Sequence, residues 1–167
     1  MERFSSETVR ALVHQHIETH ASVPGATIVL DIDDTVLRTA GRNVLPHPLG
    51  QAVHDLAQRR GLPLVYVTAR RESVAGRLWA MQQLHMLGVG TYRELRMMPP
   101  GTRNVQGYKA GERRALAAQG RCIILNMGDQ WTDFDPIAHP AGNAHFSWCL
   151  QQPEQRCVKL PHQEPCL

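Results

Sequence analysis

The sequence predicts an α/β protein with a doubly wound, Rossmann-like parallel sheet and helices on both of its faces. Short, continuously apolar runs rich in β-branched residues alternate with helix-like stretches, which is typical of parallel strands joined by right-handed crossovers. The length of 167 residues is close to that of one average domain, so residues 1–167 are interpreted as a single domain. Ligands of such sheets bind beyond the carboxyl ends of the strands, so we expect functional residues directly after the apolar runs.

The individual elements follow from local patterns. Ser5 or Ser6 can cap an N-terminal helix at about residues 5–20, whose apolar side chains recur at helical spacing. The apolar runs predict strands at residues 26–30, 64–67, 95–98 and 122–127. Helices are predicted between them at residues 49–60, 72–87 and 110–119. A short tail after about residue 150 is rich in Gln and Pro, and we expect at most one short strand there, near residues 156–160.

The helix predicted at residues 72–87 carries a largely apolar stripe. The members of this stripe recur at helical spacing and are Leu78, Met81, Leu84, His85 and Leu87. We interpret the stripe as part of the core and not as a binding groove.

Composition and charge exclude several classes of protein. The chain has 18 basic and 15 acidic residues and no long block of like charges, so nucleic-acid binding is possible but not indicated. No apolar run approaches the roughly 18 residues of a membrane helix, and the N-terminus lacks the pattern of a signal peptide. We therefore expect a cytoplasmic protein without membrane contact. Its four cysteines are expected to be reduced, although a disulfide among Cys149, Cys157 and Cys166 stays open.

Carboxylates follow two of the predicted strands. Asp31 and Asp33 leave the first strand and would project to the same side if the extended backbone continues. Asp129 follows the last strand, and Asp133 lies one turn later if a helix begins there. Close carboxylates need a divalent cation or a raised pKa, and hard oxygen ligands suit Mg²⁺. The alternative is that aspartates are simply common where strands become loops.

Residues 29–37, Val-Leu-Asp-Ile-Asp-Asp-Thr-Val-Leu, resemble the first motif of the haloacid dehalogenase (HAD) superfamily, a strand that ends in Asp-x-Asp-x-Thr. The three further motifs of that superfamily occur in the same order. A strand ends in Thr68, Lys109 precedes the next strand, and Gly128-Asp129-Gln130-Trp131-Thr132-Asp133 matches Gly-Asp-x-x-x-Asp. The ordered quartet spans residues 26–133 and is far more specific than any one motif.

Finer details resemble the class B bacterial and plant acid phosphatases. Asp34 stands where most members of the superfamily have Gly, and this branch carries an acidic residue at that position. Thr68-Ala69-Arg70-Arg71-Glu72 is similar to the branch's Thr-Gly-Arg-x-Glu, and Lys159-Leu160-Pro161 is similar to its closing strand. Arg70 and Arg71 could bind a substrate phosphate or pair with a structural carboxylate, and both interpretations stay open.

The resemblance implies a phosphomonoester hydrolase that works through an aspartyl phosphate. Asp31 would be the nucleophile, and Asp33 the general acid and base. Mg²⁺ would be held by Asp31, Asp129 and the backbone carbonyl of Asp33. The phosphate would be bound by Thr68, Ala69 and Lys109. Asp133 would orient Lys109 or a metal-bound water.

The segments between the motifs are too short for a cap domain of any size, so we expect an open site with a minimal cap or none. The substrate would then be a phosphorylated small molecule or an exposed phosphate of a macromolecule, and a partner subunit could close the site. An oligomer is therefore possible. The alternative functions are a nucleotide or nucleic-acid-end phosphatase, a phosphotransferase, and, least favoured, a silent binding or storage protein on the same fold.

Overall fold

The computed structural model describes residues 6–133 and 147–149. A central parallel sheet forms the middle layer of the fold. In chain order the strands are β1 (Ala26–Leu30), β2 (Leu37–Ala40), β3 (Asn43–Pro46), β4 (Leu64–Arg71), β5 (Glu94–Met98), β6 (Cys122–Gly128) and β7 (Ser147–Cys149). Five of them form one sheet in the order β5-β4-β1-β6-β7, with every pair parallel. The chain order reverses at β1, which lies between β4 and β6. The predicted doubly wound sheet is confirmed.

Helices cover both faces of this sheet. They are α1 (Ser6–His20), α2 (Pro48–Arg60), α3 (Val74–Met86) and α4 (Val105–Ala118). Buried residues of α1, α2 and α3 share one core with Ile28 and Leu30 of β1. The intervening Val29 faces the other way and packs in a second cluster with Leu116 of α4. No helix in the described part of the chain is long and apolar enough to cross a membrane.

Two elements differ from the sequence prediction in extent or kind. β2 and β3 form an antiparallel hairpin that was not among the predicted elements, because their mostly exposed residues lack the pattern of a buried strand. Helix α4 begins at Val105, five residues earlier than predicted, since Asn104 caps it by accepting a hydrogen bond from the Gly107 N–H at 2.8 Å. Lys109 therefore lies inside this helix.

Two further predictions were wrong. In the stripe of α3, Leu84 is buried, but Leu78 and Met81 are exposed, so the stripe does not belong to the core as a unit. Cys122, expected to be reduced, is disulfide-bonded. Cysteine spacing carries no signal for such a bond, because pairing depends on which side chains the fold brings together. The short tail strand expected near residues 156–160 lies outside the described residues.

The backbone conformation at Asp34 explains why Gly is common at this position of the first motif. Asp34 has a φ angle of 54°, in the left-handed region that glycine adopts freely and that Asp tolerates better than most residues. We expect Asp34→Val to lower the free energy of unfolding by about 1–2 kcal/mol, and Asp34→Gly to change it by only a few tenths, ~0.3 kcal/mol. Urea denaturation of the two variants checks this. Equal stability of Asp34→Val and the wild type would contradict a backbone cause, since the exposed side chain loses little packing.

Candidate active site

A pocket of about 280 Å³ lies where the sheet's chain order reverses, at the carboxyl ends of β1, β4 and β6. Six of the seven site residues predicted from the sequence line it, and these are Asp31, Asp33, Thr68, Ala69, Lys109 and Asp129. The seventh, Asp133, is buried next to the pocket in contact with Lys109. The fold thus brings together residues that are about a hundred positions apart in the chain.

Lys109 forms the electrostatic centre of this pocket. Its side chain is buried, with Nζ 3.1 Å from Asp31 Oδ1, and it donates a hydrogen bond to Asp133 Oδ1. Burial alone would lower the pKa of Lys109, but the Asp31 and Asp133 carboxylates raise it above its ordinary value. The ammonium is therefore charged throughout the neutral range, and it faces the carboxylate that follows β1.

Asp133 is held in place by three contacts. Besides the bond from Lys109, its Oδ2 accepts a hydrogen bond from the Gln130 N–H at 3.0 Å. Its backbone carbonyl accepts one from Asn126 Nδ2 at 2.8 Å. Both carboxylate oxygens of Asp133 are thus engaged within the protein. Asp31 and Asp129 are therefore the better candidates to bind a metal ion or a substrate.

The buried carboxylates form a group that fits a divalent cation. Single carboxylate oxygens of Asp31, Asp129 and Asp133 all lie within 4.8 Å of one another, and all three residues are buried. Burial and repulsion from Asp133 raise the pKa of Asp31 well above its ordinary value, against the opposing effect of Lys109. The same two causes raise the pKa of Asp129 to about 6. Three carboxyl groups facing one ammonium leave an excess of negative charge that a hard divalent ion would neutralise.

Asp33 stands apart from this buried group. Although it lines the same pocket, 57% of its side chain is exposed. Arg70 donates two parallel hydrogen bonds to Asp33, from Nε to Oδ2 at 2.9 Å and from Nη2 to Oδ1 at 2.6 Å. Of the two roles left open for Arg70, the structure shows the pairing with a carboxylate, and that carboxylate belongs to the pocket. Arg71 instead donates to the backbone carbonyls of Pro99 and Thr102.

Four further residues line the pocket that were not identified as site residues from the sequence, namely Asp34, Val105, Gln130 and Thr132. Asp34 adjoins the first motif, and Gln130 and Thr132 lie inside Gly-Asp-x-x-x-Asp, so motif position is the signal that points to them. Val105 carries no such signal, because it reaches the pocket only as the first residue of α4. Asn126 was also missed, since it stands within the apolar run of β6.

The family of this chain follows from its sequence. Residues 44–163, most of the chain, match the model of the HAD superfamily, subfamily IIIB (acid phosphatase). The chain belongs to this family. The matched range of this subfamily IIIB protein includes Thr68, Lys109 and Asp129, whereas Asp31 and Asp33 precede it. No functionally curated protein matches the sequence significantly.

Solved structures of acid phosphatases share the fold of this subfamily IIIB chain. The class C acid phosphatase from Bacillus anthracis is 18% identical, with a TM-score of 0.54, over 78% of this chain and 66% of that one. The same phosphatase with tungstate bound is 16% identical, with a TM-score of 0.54, over 80% of this chain and 68% of that one. The chain therefore spans about two thirds of the length of these structural relatives.

Proposed function

We propose that this protein is a Mg²⁺-dependent phosphomonoester hydrolase that works through an aspartyl phosphate on Asp31. The observation that carries the proposal is the contact of Asp31 with Lys109 in a pocket that Asp129 also lines. An anionic substrate needs positive charge beside its nucleophile, and this pocket offers both within about 3 Å. Membership of an acid phosphatase family supports the same chemistry.

Asp31 is suited to attack phosphorus. It directly follows β1, and its backbone N–H donates to the Met127 carbonyl at 3.0 Å, so its position is fixed by two central strands. Its carboxylate would attack the phosphorus atom and displace the leaving-group oxygen, and water would then hydrolyse the acyl phosphate. A buried nucleophile loses little solvation when the substrate arrives, because the protein has already excluded most of the water.

Mg²⁺ would be held by Asp31, Asp129 and the backbone carbonyl of Asp33, and when bound it would neutralise charge on the nucleophile and on the phosphoryl oxygens. Asp133 would serve instead to position Lys109, since both of its carboxylate oxygens are already engaged.

Thr68, Ala69 and Lys109 would bind the phosphoryl oxygens. The Thr68 hydroxyl is buried and accepts a hydrogen bond from the Arg70 N–H at 3.2 Å. Because that contact uses an oxygen lone pair, the hydroxyl proton is free to be donated to a phosphoryl oxygen. The class C acid phosphatase of the same fold has been solved with tungstate, a tetrahedral oxyanion like phosphate.

Asp33 would act as the general acid and then the general base. Its exposed side chain can exchange a proton with solvent, while Arg70 fixes its direction from the neighbouring strand end. Arg70 would therefore be a positioning residue for Asp33.

We expect Arg70→Lys to lower kcat by roughly tenfold with a smaller change in KM, because lysine cannot hold Asp33 with two parallel hydrogen bonds. Steady-state kinetics on one good substrate measure this. Arg71→Lys is the matched control, since Arg71 contacts only loop carbonyls among the described residues. A rise in KM at unchanged kcat would instead show that Arg70 binds the substrate phosphate.

The test of the proposed function is phosphate release from a panel of phosphomonoesters, with Mg²⁺ or with a chelator. The panel includes small esters, nucleotides and 5′- and 3′-phosphorylated oligonucleotides, so its ranking also separates the alternative substrates. Turnover that needs Mg²⁺ supports the proposal. A folded protein that binds Mg²⁺ but turns over no ester would contradict it and favour a binding role.

The raised pKa of Asp129 predicts pH-dependent metal binding. Because this group has a pKa of about 6 without metal, a proton must leave before the carboxylate can bind Mg²⁺. We expect Mg²⁺ affinity to fall as the pH drops below 6, by up to about tenfold per pH unit from the Asp129 proton, and more steeply because the pKa of Asp31 is raised as well. Isothermal titration calorimetry at several pH values measures this, with Asp55→Asn as a surface control. An affinity that does not change between pH 5 and 7 would contradict the prediction.

The raised pKa values also determine how the stability of the metal-free protein changes with pH. The pKa values of Asp31 and Asp129 are raised on folding, so the folded protein binds protons more tightly than the unfolded chain. The free energy of unfolding should therefore fall as the pH rises from about 4 through 6, and Mg²⁺ should offset that loss.

A further inference from the structure

The outer side of helix α3 exposes an unusual number of large apolar side chains. Ala80 and Leu84 anchor the helix in the core. On its other side lie Val74 (81% exposed), Leu78 (58%), Trp79 (63%), Met81 (42%) and Met86 (81%). We call these five residues the α3 face. Val74, Leu78 and Met81 follow one another at i, i+4 and i+7, the spacing of a packing seam along a helix.

The α3 face also lacks charge. Among the 13 residues of the helix, Arg77 is the only Asp, Glu, Lys or Arg, and it is paired within the protein. Its Nε donates to Glu72 Oε1 at 2.9 Å, and its Nη1 donates to the Leu95 carbonyl at 3.1 Å. Every other exposed position of α3 is apolar, Gln or His. The helix therefore presents no charge that would repel a second copy of itself.

The other helices show the contrast. The exposed positions of α1 include Glu7 and Arg10, those of α2 include Arg59 and Arg60, and α4 exposes Arg114. These are ordinary solvated faces. An apolar patch the size of the α3 face is at the upper end of what a monomer exposes, and such patches are often interaction surfaces.

We propose that the α3 face binds the α3 face of a second copy of this chain in a two-fold symmetric dimer. A two-fold interface must be complementary to itself, and an apolar face without charges meets that condition. Its five large side chains expose on the order of 600 Å² per copy, so two copies would bury about 1,200 Å², which is within the range of stable interfaces. This proposal is independent of the catalytic one.

Self-complementary charge and buried area argue for a second copy as the occupant, and the chain's own tail is the alternative that the experiment must separate. Helix α3 joins β4 to β5, and β5 is one edge of the sheet. The last described strand, β7, is the opposite edge. The distance between the two edges, roughly 19 Å across five strands, is within reach of an extended tail, so a wild type that stays monomeric is an outcome of the test that distinguishes the two occupants.

Analytical ultracentrifugation of the full chain from roughly 1 to 100 µM tests the proposal. We expect the wild type to form a dimer, and Leu78→Glu to raise the dimer dissociation constant by at least about 100-fold, because it places unpaired carboxylates in an apolar contact. Met86→Glu, at one of the two most exposed positions of the face, should act in the same direction without disturbing the monomer. Leu12→Glu, at an exposed apolar position of α1, is the control and should leave the dimer intact.

A wild type that stays monomeric at every concentration would overturn the proposal. If Leu78→Glu destabilised such a monomer in thermal unfolding, the face would be covered by a segment of the same chain. If its stability did not change, the face would be uncovered in the isolated chain. A dimer that Leu78→Glu and Met86→Glu both leave intact would also overturn it, because the interface would then lie elsewhere.

Discussion

Asp31→Asn is expected to lower phosphatase kcat by at least about 10⁴-fold, because an amide cannot form the acyl phosphate. The substitution should not unfold the protein. Burial and Asp133 already disfavour a charge at position 31, as the raised pKa of Asp31 shows, so a neutral side chain of the same shape should be tolerated. Stability at neutral pH should be unchanged or slightly higher.

Phosphate release and urea denaturation measure these two effects separately. Asp55→Asn, on the surface of α2 beside His54, is the matched control and should retain activity. Rapid acid quenching with ³²P-labelled substrate should trap label on the wild-type protein in a form that hydroxylamine releases. Full activity in Asp31→Asn would refute the covalent mechanism.

Gly128→Ala is expected to lower kcat/KM by about 100-fold and the free energy of unfolding by about 1–3 kcal/mol. A Cβ atom at position 128 would lie 2.2 Å from Asp133 Cγ and 2.3 Å from its Cβ, so the whole side chain would have to move. Asp133 cannot move without losing its contacts with Lys109 and Gln130. The misplaced ammonium would then no longer face Asp31.

Gly111→Ala is the control for this prediction. Gly111 lies on α4 two residues after Lys109, and a Cβ atom there would meet nothing within 4 Å. Alanine at this position should therefore keep the activity and add about 0.5–1 kcal/mol of stability through its higher helix propensity. Wild-type activity in Gly128→Ala would show that the position of Asp133 does not control the pocket.

The central sheet was predictable from the sequence because β1 and β6 are buried on both faces, which requires unbroken apolar runs. The grouping of the candidate site residues around one pocket was predictable too, since these residues directly follow the strands or stand in ordered motifs. The hairpin of β2 and β3 was not, because exposed strands have no such pattern. Asn126, inside an apolar run, gave no sign that it supports Asp133.

Contacts between residues far apart in the chain could not be predicted from the sequence either. Arg70 and Asp33 are 37 positions apart, and only the neighbouring strand ends bring them into contact. The outer side of α3 shows the reverse problem. Helical periodicity identified Leu78 and Met81 as members of an apolar stripe, but periodicity cannot tell whether such a stripe faces its own core or another molecule.

The charged side chains of the pocket come from two kinds of element, the strands of the sheet and the helix α4. Asp31 and Asp129 directly follow adjacent strands of one sheet, so their spacing is as rigid as the ladder of hydrogen bonds between β1 and β6. Lys109 comes from α4, which side chains alone connect to the sheet, through apolar packing and through the contact of Arg96 with Glu112. Leu116, about two turns further along, is the buried contact of this helix with Val29 and Val65. A cavity at Leu116 would therefore alter the electrostatics of the pocket from about 10 Å away, by shifting the cation while the acids stay in place.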